Sequence, residues 1–436
     1  MRLFGEKIMD KKLSEKEKLD LFKGFYKLTS LERLKKIQSI IPDLEDAEID
    51  LLLKTSSLEL ETVNRMIENA VGVIPIPFGL GVNFLINNKV YAVPMAIEEP
   101  SVIAAASSAA KMTLPTGGFK TSTTEQIMIS QIQILDLEAP EIASSLIIEN
   151  KEKIIEIANT NHPTLISRGG GAIDVRSRII DTRIGKMVIC ELLIDCQDAM
   201  GANVVSAMAE EVTPFIEDLT SGRVLLRILS NFSDLRLARA SCVISKDSLG
   251  GEEFVDNIVA ASAFAEADTY RAATHNKGIM NGISAVILAT ANDTRAIEAG
   301  AHAYACKEGY YRSLTKWIKN TDGDLEGSLE IPLAVGIVGG ATKTNPIAQI
   351  ALKIMDIKSA KELAQVAAAV GLAQNFGALR ALTTTGIIKG HMQLHSKNVA
   401  ISAGAKGELI ELIAERMIKE ENVTFSRAKE LIKELK

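Results

Sequence analysis

Between Thr124 and Leu229 the sequence changes texture: QIMISQIQIL, KMVICELLID and RVLLRIL are strand-like runs separated by helical ones. Long helical patterns dominate the chain beyond this stretch. A β-rich unit enclosed in a helical one is read most simply as an inserted α+β domain with its own sheet. The 436 residues are enough for two or three domains, and 47% hydrophobic against 24% charged is a globular composition. We therefore expect an α+β fold in four pieces: the first part of a large, mainly helical domain at 1–124, a small α+β domain at 125–229, the rest of the large domain at 230–388, and a C-terminal helical segment at 389–436.

The flanking segments carry local signals. The first 70 residues read as short amphipathic helices, Leu31 to Ile41 among them. VNFLI and VYAVP flank Asn87-Asn88-Lys89, whose asparagines tolerate the left-handed backbone of a tight turn, so a hairpin is expected. In EEPSVIAAASSAAK, Pro100 suits the first position of a helix and would set Glu98 and Glu99 at its mouth. Glu252 to Ala267, Ala296 to Ala305 and Ser359 to Ala381 read as helices, the last opened by Ser359 and Glu362 as a capping box. After Gly390, AGAKGE and ENVTFS separate three amphipathic helices.

Several function classes are disfavoured. A net charge of −6 provides no general attraction to nucleic acid or anionic lipid. The apolar run Ala70 to Ile86 is interrupted by Pro75, Pro77 and Asn83 and is shorter than the ~20 residues of a membrane helix. MRLFGEKIMDKKLSEKEK alternates charge where a secretory signal would be apolar, so the expected compartment is the cytoplasm. Cys190, Cys196, Cys242 and Cys306 lack CxxC spacing and are expected to be reduced packing residues. His391 and His395 have the i, i+4 spacing of a metal-binding helix face, but Gln393 and the lack of a nearby third ligand argue against a metal.

Three glycine-rich stretches invite a phosphate-binding reading. RGGGAID (Arg168 to Asp174) lacks GxGxxG spacing, and VGGATKT carries Thr342 where a Walker loop needs glycine. DAMGAN (Asp198 to Asn203) joins a strand-like run to a helical one, which places small residues and free backbone N–H groups at a helix N-terminus, where a pyrophosphate can bind. Close helix packing explains the same residues equally well. Lys277, in ATHNKGIMNG, lies in a segment poor in other charge, although lysines usually reach solvent. Asp293 stands at a helix start, where aspartate is a routine N-cap. Taken singly, each of these residues has an ordinary structural explanation.

Taken together, ENAVG, PMAIEEPSVIAAAS, DAMGAN, RAATHNKGIMNG, AND, VGGATKTNP, GLAQNFGALRAL and GHMQLH resemble, in order, the motif series of the class II 3-hydroxy-3-methylglutaryl-CoA (HMG-CoA) reductases of bacteria and archaea, over about residues 60 to 400. The resemblance implies reduction of (S)-HMG-CoA to (R)-mevalonate and CoA with two NAD(P)H, through mevaldyl-CoA and mevaldehyde, in isoprenoid biosynthesis. It implies four catalytic residues: Lys277 stabilising the carbonyl oxygen, Glu99 supplying a proton, Asp293 linking the two, and His391, on a flap formed by the C-terminal segment, protonating the departing thiolate. Ser101, Arg271 and Asn281 would surround the hydroxymethylglutaryl end with Lys277, while Gln374, Asn375 and Ala378 border it. The small domain, ferredoxin-like rather than Rossmann, would hold the nicotinamide nucleotide through Arg168 and Gly170 of RGGGAID and through Asp198, Ala199, Met200, Gly201 and Asn203 of DAMGAN.

The family also implies a homodimer with the active site between subunits; further assembly of dimers is left open. His162, in ANTNHP, occupies a position where NADH-preferring relatives can carry an acidic residue, so NADPH is favoured over NADH. Ala291 replaces the glycine usual before Asn-Asp, and Thr385 replaces a glutamate. Two alternatives stand beside this reading: the same enzyme oxidising mevalonate in catabolism, and a non-catalytic acyl-CoA-binding protein of the same fold.

Overall fold

The structure is a computed structural model that describes residues 13–54, 58–384 and 396–435. It is a mixed α+β architecture with two sheets. β1 (Phe78–Ile86) and β2 (Lys89–Ala96) form the expected hairpin, its turn made by Asn87 and Asn88 at φ 47° and 67°. They continue through β3 (Phe119–Thr123) into a six-stranded sheet of order β2-β1-β3-β8-β10-β9, where β8 is Leu237–Ile244, β9 Thr315–Lys319 and β10 Leu325–Pro332. The second sheet, of order β5-β6-β4-β7, is antiparallel throughout and comprises β4 (Ile127–Leu135), β5 (Gly171–Thr182), β6 (Gly185–Asp195) and β7 (Arg223–Leu229). In chain order this stretch runs β-α-β-β-α-β, with the Ala202–Thr220 helix returning the chain to the edge strand.

The centre of the larger layer is the Ala360–Thr383 helix, packed against the six-stranded sheet and against the helices Val102–Thr113 and Thr269–Ala289. Residues 363–376 of this helix are buried apart from Gln365, as expected of a helix that is apolar all round. Alanine and glycine are what allow three helices to approach there with little side-chain volume between them. Glu252–Ala267 is helical as the sequence indicates, and RVLLRIL ends as a strand at Leu229.

Three local expectations need correction. Pro100 does not begin a helix: Ser101 is the N-cap, in a left-handed conformation at φ 75°, and the helix starts at Val102. The Ser359 hydroxyl accepts from the Glu362 N–H, but the Glu362 carboxylate accepts from the N–H of Lys358, one residue before the cap, and from Lys89 and Tyr91, so no reciprocal box closes at Ser359. Cys190, Cys196 and Cys242 are buried, whereas Cys306 is exposed and so is not a packing residue. Among the described residues no helix is long and apolar enough to cross a membrane, and no group of three His, Cys, Asp or Glu side chains could hold a metal ion.

Candidate active site

A cleft of about 620 Å³ opens between the start of the Val102–Thr113 helix, the Thr269–Ala289 helix and the second half of the Ala360–Thr383 helix. Helical periodicity explains its lining. Arg271, Thr274, Gly278 and Asn281 recur at three- and four-residue spacing on one face, while Gln374, Ala378 and Ala381 do so on the other helix. Glu99 enters from the turn after β2, which the hairpin register and the left-handed Ser101 hold at the cleft mouth.

Two donors meet at one carboxylate oxygen. Lys277 Nζ donates to Glu99 Oε2 at 2.9 Å, and Asn281 Nδ2 donates to the same oxygen at 3.3 Å. Lys277 and Asn281 are one turn apart, so a single helix face presents both donors. The Lys277 side chain is 62% exposed and that of Glu99 33%. A pair this open to water adds little to stability, yet it leaves a fixed cation facing the cleft.

Beneath the cleft lies a buried polar network. Trp317 Nε1 can only donate, so the amide oxygen of Asn375, 2.7 Å away, must face it. The amide nitrogen then donates to His275 Nε2 at 3.0 Å, which makes that nitrogen an acceptor and puts the ring proton on Nδ1. Thr315 Oγ1 lies 2.9 Å from the same amide oxygen and 2.6 Å from His275 Nε2. Burial, helped by the nearby charge of Arg271, pushes the His275 pKa down to about 4. The imidazole is therefore neutral at pH 7. Asn375, expected to border the substrate with Gln374 and Ala378, lines the cleft beside them, with both ends of its amide engaged in this network and 1% of it exposed. It braces the cleft wall.

Ser101 lines the cleft as expected, whereas Asp293 does not. The Asp293 carboxylate caps its own helix, accepting from the N–H groups of Arg295 and Ala296 at 3.0 and 3.1 Å, and pairs with the Arg295 guanidinium. It does not line the cleft with Glu99 and Lys277. His391 and Thr385 lie outside the described residues.

The two glycine-rich loops of the second sheet do meet. Gln197 Nε2 donates to the Gly169 carbonyl at 3.3 Å, so RGGGAID and DAMGAN share one end of that sheet, with Arg168 exposed beside Gly170. Gly201 has φ 112°, and a Cβ there would lie 2.6 Å from Cys196 Sγ, so only glycine fits. The Ala202–Thr220 helix begins immediately after it with no side-chain cap, leaving first-turn N–H groups available. Asn203 is exposed on that turn. His162 Nε2 lies 3.2 Å from Glu211 Oε2 of the same helix.

Sequence reasoning missed His275 and Arg236. Arg236, 1% exposed, reaches the loop from behind: Nη1 donates to the Met200 carbonyl at 2.9 Å and Nη2 to that of Ala199 at 3.1 Å. Nothing in LRLARAS distinguishes it from a surface arginine.

These features agree with comparisons to known proteins. The sequence profile of the family described as Hydroxymethylglutaryl-coenzyme A reductase matches residues 30–396. The 3-hydroxy-3-methylglutaryl-coenzyme A reductase of Archaeoglobus fulgidus is 52% identical over 413 residues, covering 95% of this chain and 94% of that one. Among solved structures, the 3-hydroxy-3-methylglutaryl-coenzyme A reductase from Streptococcus pneumoniae superposes with a TM-score of 0.81 at 38% identity, over 95% of this chain and 100% of that one. A second structure, described as the class II enzyme from the same organism bound to NADPH in open conformations, gives a TM-score of 0.80 at 38% identity, covering 83% and 100% of the two chains. Profile, sequence and fold agree over most of the chain, which therefore belongs to the hydroxymethylglutaryl-coenzyme A reductase family, with the class II enzymes of bacteria and archaea.

Proposed function

We propose that this chain is a cytoplasmic reductase that converts (S)-HMG-CoA to (R)-mevalonate and CoA, consuming two reduced nicotinamide nucleotides by way of mevaldyl-CoA and mevaldehyde. The observation that carries this reading is the convergence of Lys277 and Asn281 on Glu99 inside a cleft that Ser101 and Arg271 also line. Each reduction builds negative charge on a carbonyl oxygen, and Lys277 is a cation already held in place to stabilise it. Glu99 is a carboxylate in this pair, so the proton it would pass to the same oxygen is one it first takes up from solvent through the open cleft. The Arg271 guanidinium supplies a partner for the free carboxylate of the acyl group, and Ser101, Asn281, Gln374 and Ala378 shape the pocket around it. Asp293 would act after turning from its cap toward the lysine, and His391 on the flap would protonate the CoA thiolate.

The nicotinamide nucleotide supplies hydride when bound. The fit for its pyrophosphate is the turn at Gly201 together with the uncapped helix that follows. Asp198, Ala199, Met200, Asn203, Arg168 and Gly170 complete this end of a small, ferredoxin-like domain at 125–229. NADPH is the nucleotide we propose because His162, rather than an acidic residue, stands at this position, with the Glu211 carboxylate 3.2 Å behind its ring as a hydrogen-bond partner. The large domain, 1–124 with 230–388, carries the cleft, and 389–436 is the flap.

The assembly that fits is a homodimer with composite active sites. Within one chain, Ala360 N–H donates to Asp198 Oδ1 at 2.8 Å, so DAMGAN lies at the start of the Ala360–Thr383 helix. The cleft begins at Gln374, about 21 Å along that helix axis. The extended segment before β1 exposes Val71 at 99% and Ile74 at 92%, apolar surface that a second copy would cover.

The test is the loss of reduced-nicotinamide absorbance when purified protein meets HMG-CoA, with NADPH and NADH in parallel. Two cofactors oxidised per CoA released are expected, faster with NADPH. No oxidation with either, from folded protein, would overturn the reductase reading and leave a binding protein.

A further inference from the structure

Arg236 occupies an unusual setting for a buried guanidinium. It is 1% exposed, burial pushes its pKa down to about 10, and its hydrogen bonds go to neutral acceptors. These are Gln126 Oε1 at 3.0 Å, the Met200 and Ala199 carbonyls, and the Val335 carbonyl at 2.5 Å. Burying a cation without an ion-pair partner is costly, and what offsets that cost is the set of buried acceptors that would be left unsatisfied without it. Geometry is the better explanation of its presence. A guanidinium offers five N–H donors in one rigid plane, so it can fix several carbonyls relative to one another.

What it fixes is the nucleotide loop. Two successive carbonyls, those of Ala199 and Met200, are drawn toward Arg236. In planar trans peptides the N–H points opposite to the C=O, so the Met200 and Gly201 N–H groups turn away from the arginine. Consecutive N–H groups turned the same way are the elements of an anion-binding nest. The third carbonyl, that of Val335, belongs to a strap that is tied in two further directions: Gly336 N–H donates to Asn292 Oδ1 at 2.7 Å, and Ile337 N–H donates to the Asp198 carbonyl at 3.0 Å. Asn292 immediately precedes Asp293. Gln126 belongs to the link between β3 and β4, where the chain enters the second sheet.

We propose that Arg236 is a positioning residue for the reduction: it holds the 198–201 loop and the 333–337 strap at a fixed height over the Asn292–Asp293 turn and thereby sets the affinity for the reduced nicotinamide nucleotide. The proposal rests on DAMGAN being the nucleotide loop. It also explains Gly336, where a Cβ would lie 2.5 Å from the Met200 nitrogen and push the loop outward.

The test compares Arg236→Lys and Gly336→Ala with wild type, reading NADPH dissociation by fluorescence, KM for NADPH and for HMG-CoA separately, and the melting temperature. Lysine keeps the charge but loses the planar fork; Gly336→Ala displaces the loop with the arginine untouched. Both should weaken NADPH binding about tenfold or more, with KM for HMG-CoA unchanged within about twofold. A merely structural role would instead lower the melting temperature and affect both substrates alike, which would overturn the proposal. Met200→Asp, which puts a negative charge on the loop itself, separates the two levels. If it leaves NADPH binding intact, the loop reading falls and the Arg236 proposal with it. If it abolishes binding while Arg236→Lys and Gly336→Ala bind like wild type, only the Arg236 proposal is overturned. Should Arg236→Lys fail to fold, Arg236→Gln, which keeps a planar donor group but loses the fork, takes its place in the same comparison.

Discussion

Stability in mild acid should depend on one imidazole. His275 titrates near 6.5 when solvated, and in the fold burial and Arg271 push its pKa down to about 4. Above pH 6.5 the ring is neutral in both states and contributes no pH dependence. As pH falls through 6.5 the unfolded chain takes up a proton that the native network refuses, so stability is lost progressively until the folded pKa is reached. The two pKa values place the loss at about 2 kcal/mol by pH 5 and about 3 kcal/mol by pH 4. The perturbation is His275→Gln, whose amide oxygen can accept from Asn375 Nδ2 without titrating. The assay is urea unfolding of wild type and variant at pH 7.5 and pH 5, at one fixed protein concentration so that assembly contributes equally. Other groups titrate in both proteins and cancel in the difference. The variant is expected to be less stable at pH 7.5 and to close about 2 kcal/mol of that gap at pH 5. A gap that stays constant with pH would refute a buried neutral His275.

Asn375→Ala strips partners from both Trp317 Nε1 and His275, so it should cost about 2–4 kcal/mol in urea unfolding; a loss below about 1 kcal/mol would mean that the network is not a brace. Lys277→Ala removes a solvated ion pair and should leave the unfolding midpoint nearly unchanged. Its turnover should fall about 10²–10³-fold, and a loss of only a few-fold would show that another group faces the carbonyl oxygen. Ala291 sits at φ 51°, a left-handed position that glycine occupies without strain. Ala291→Gly should therefore raise stability by about 0.5–1 kcal/mol, and a fall in melting temperature would contradict this.

Local order was legible wherever a short-range preference and the burial pattern agreed. The hairpin at Asn87-Asn88 and the N-cap at Asp293 follow from residues a few positions apart, and the structure shows both. Motif order made the family legible too, together with Glu99 and Lys277, which the fold joins from 178 positions apart. Where long-range packing had the last word, local signals failed. Pro100 lost the helix start to a left-handed Ser101, and the Glu362 carboxylate accepts from the Lys358 N–H, Lys89 and Tyr91 in place of a reciprocal box at Ser359. Asn375 reads as a polar residue on a helix beside the substrate, but Trp317, on β9, turns its amide into a buried acceptor and brace. Arg236 shows the limit most clearly. Its partners are at positions 126, 199, 200 and 335, and three of the four are backbone carbonyls, which are chemically the same in every residue. Side-chain chemistry and periodicity are written along the chain and can be read there. Which carbonyls converge on one buried cation is decided only when distant segments close on each other and exclude the water that would otherwise satisfy them.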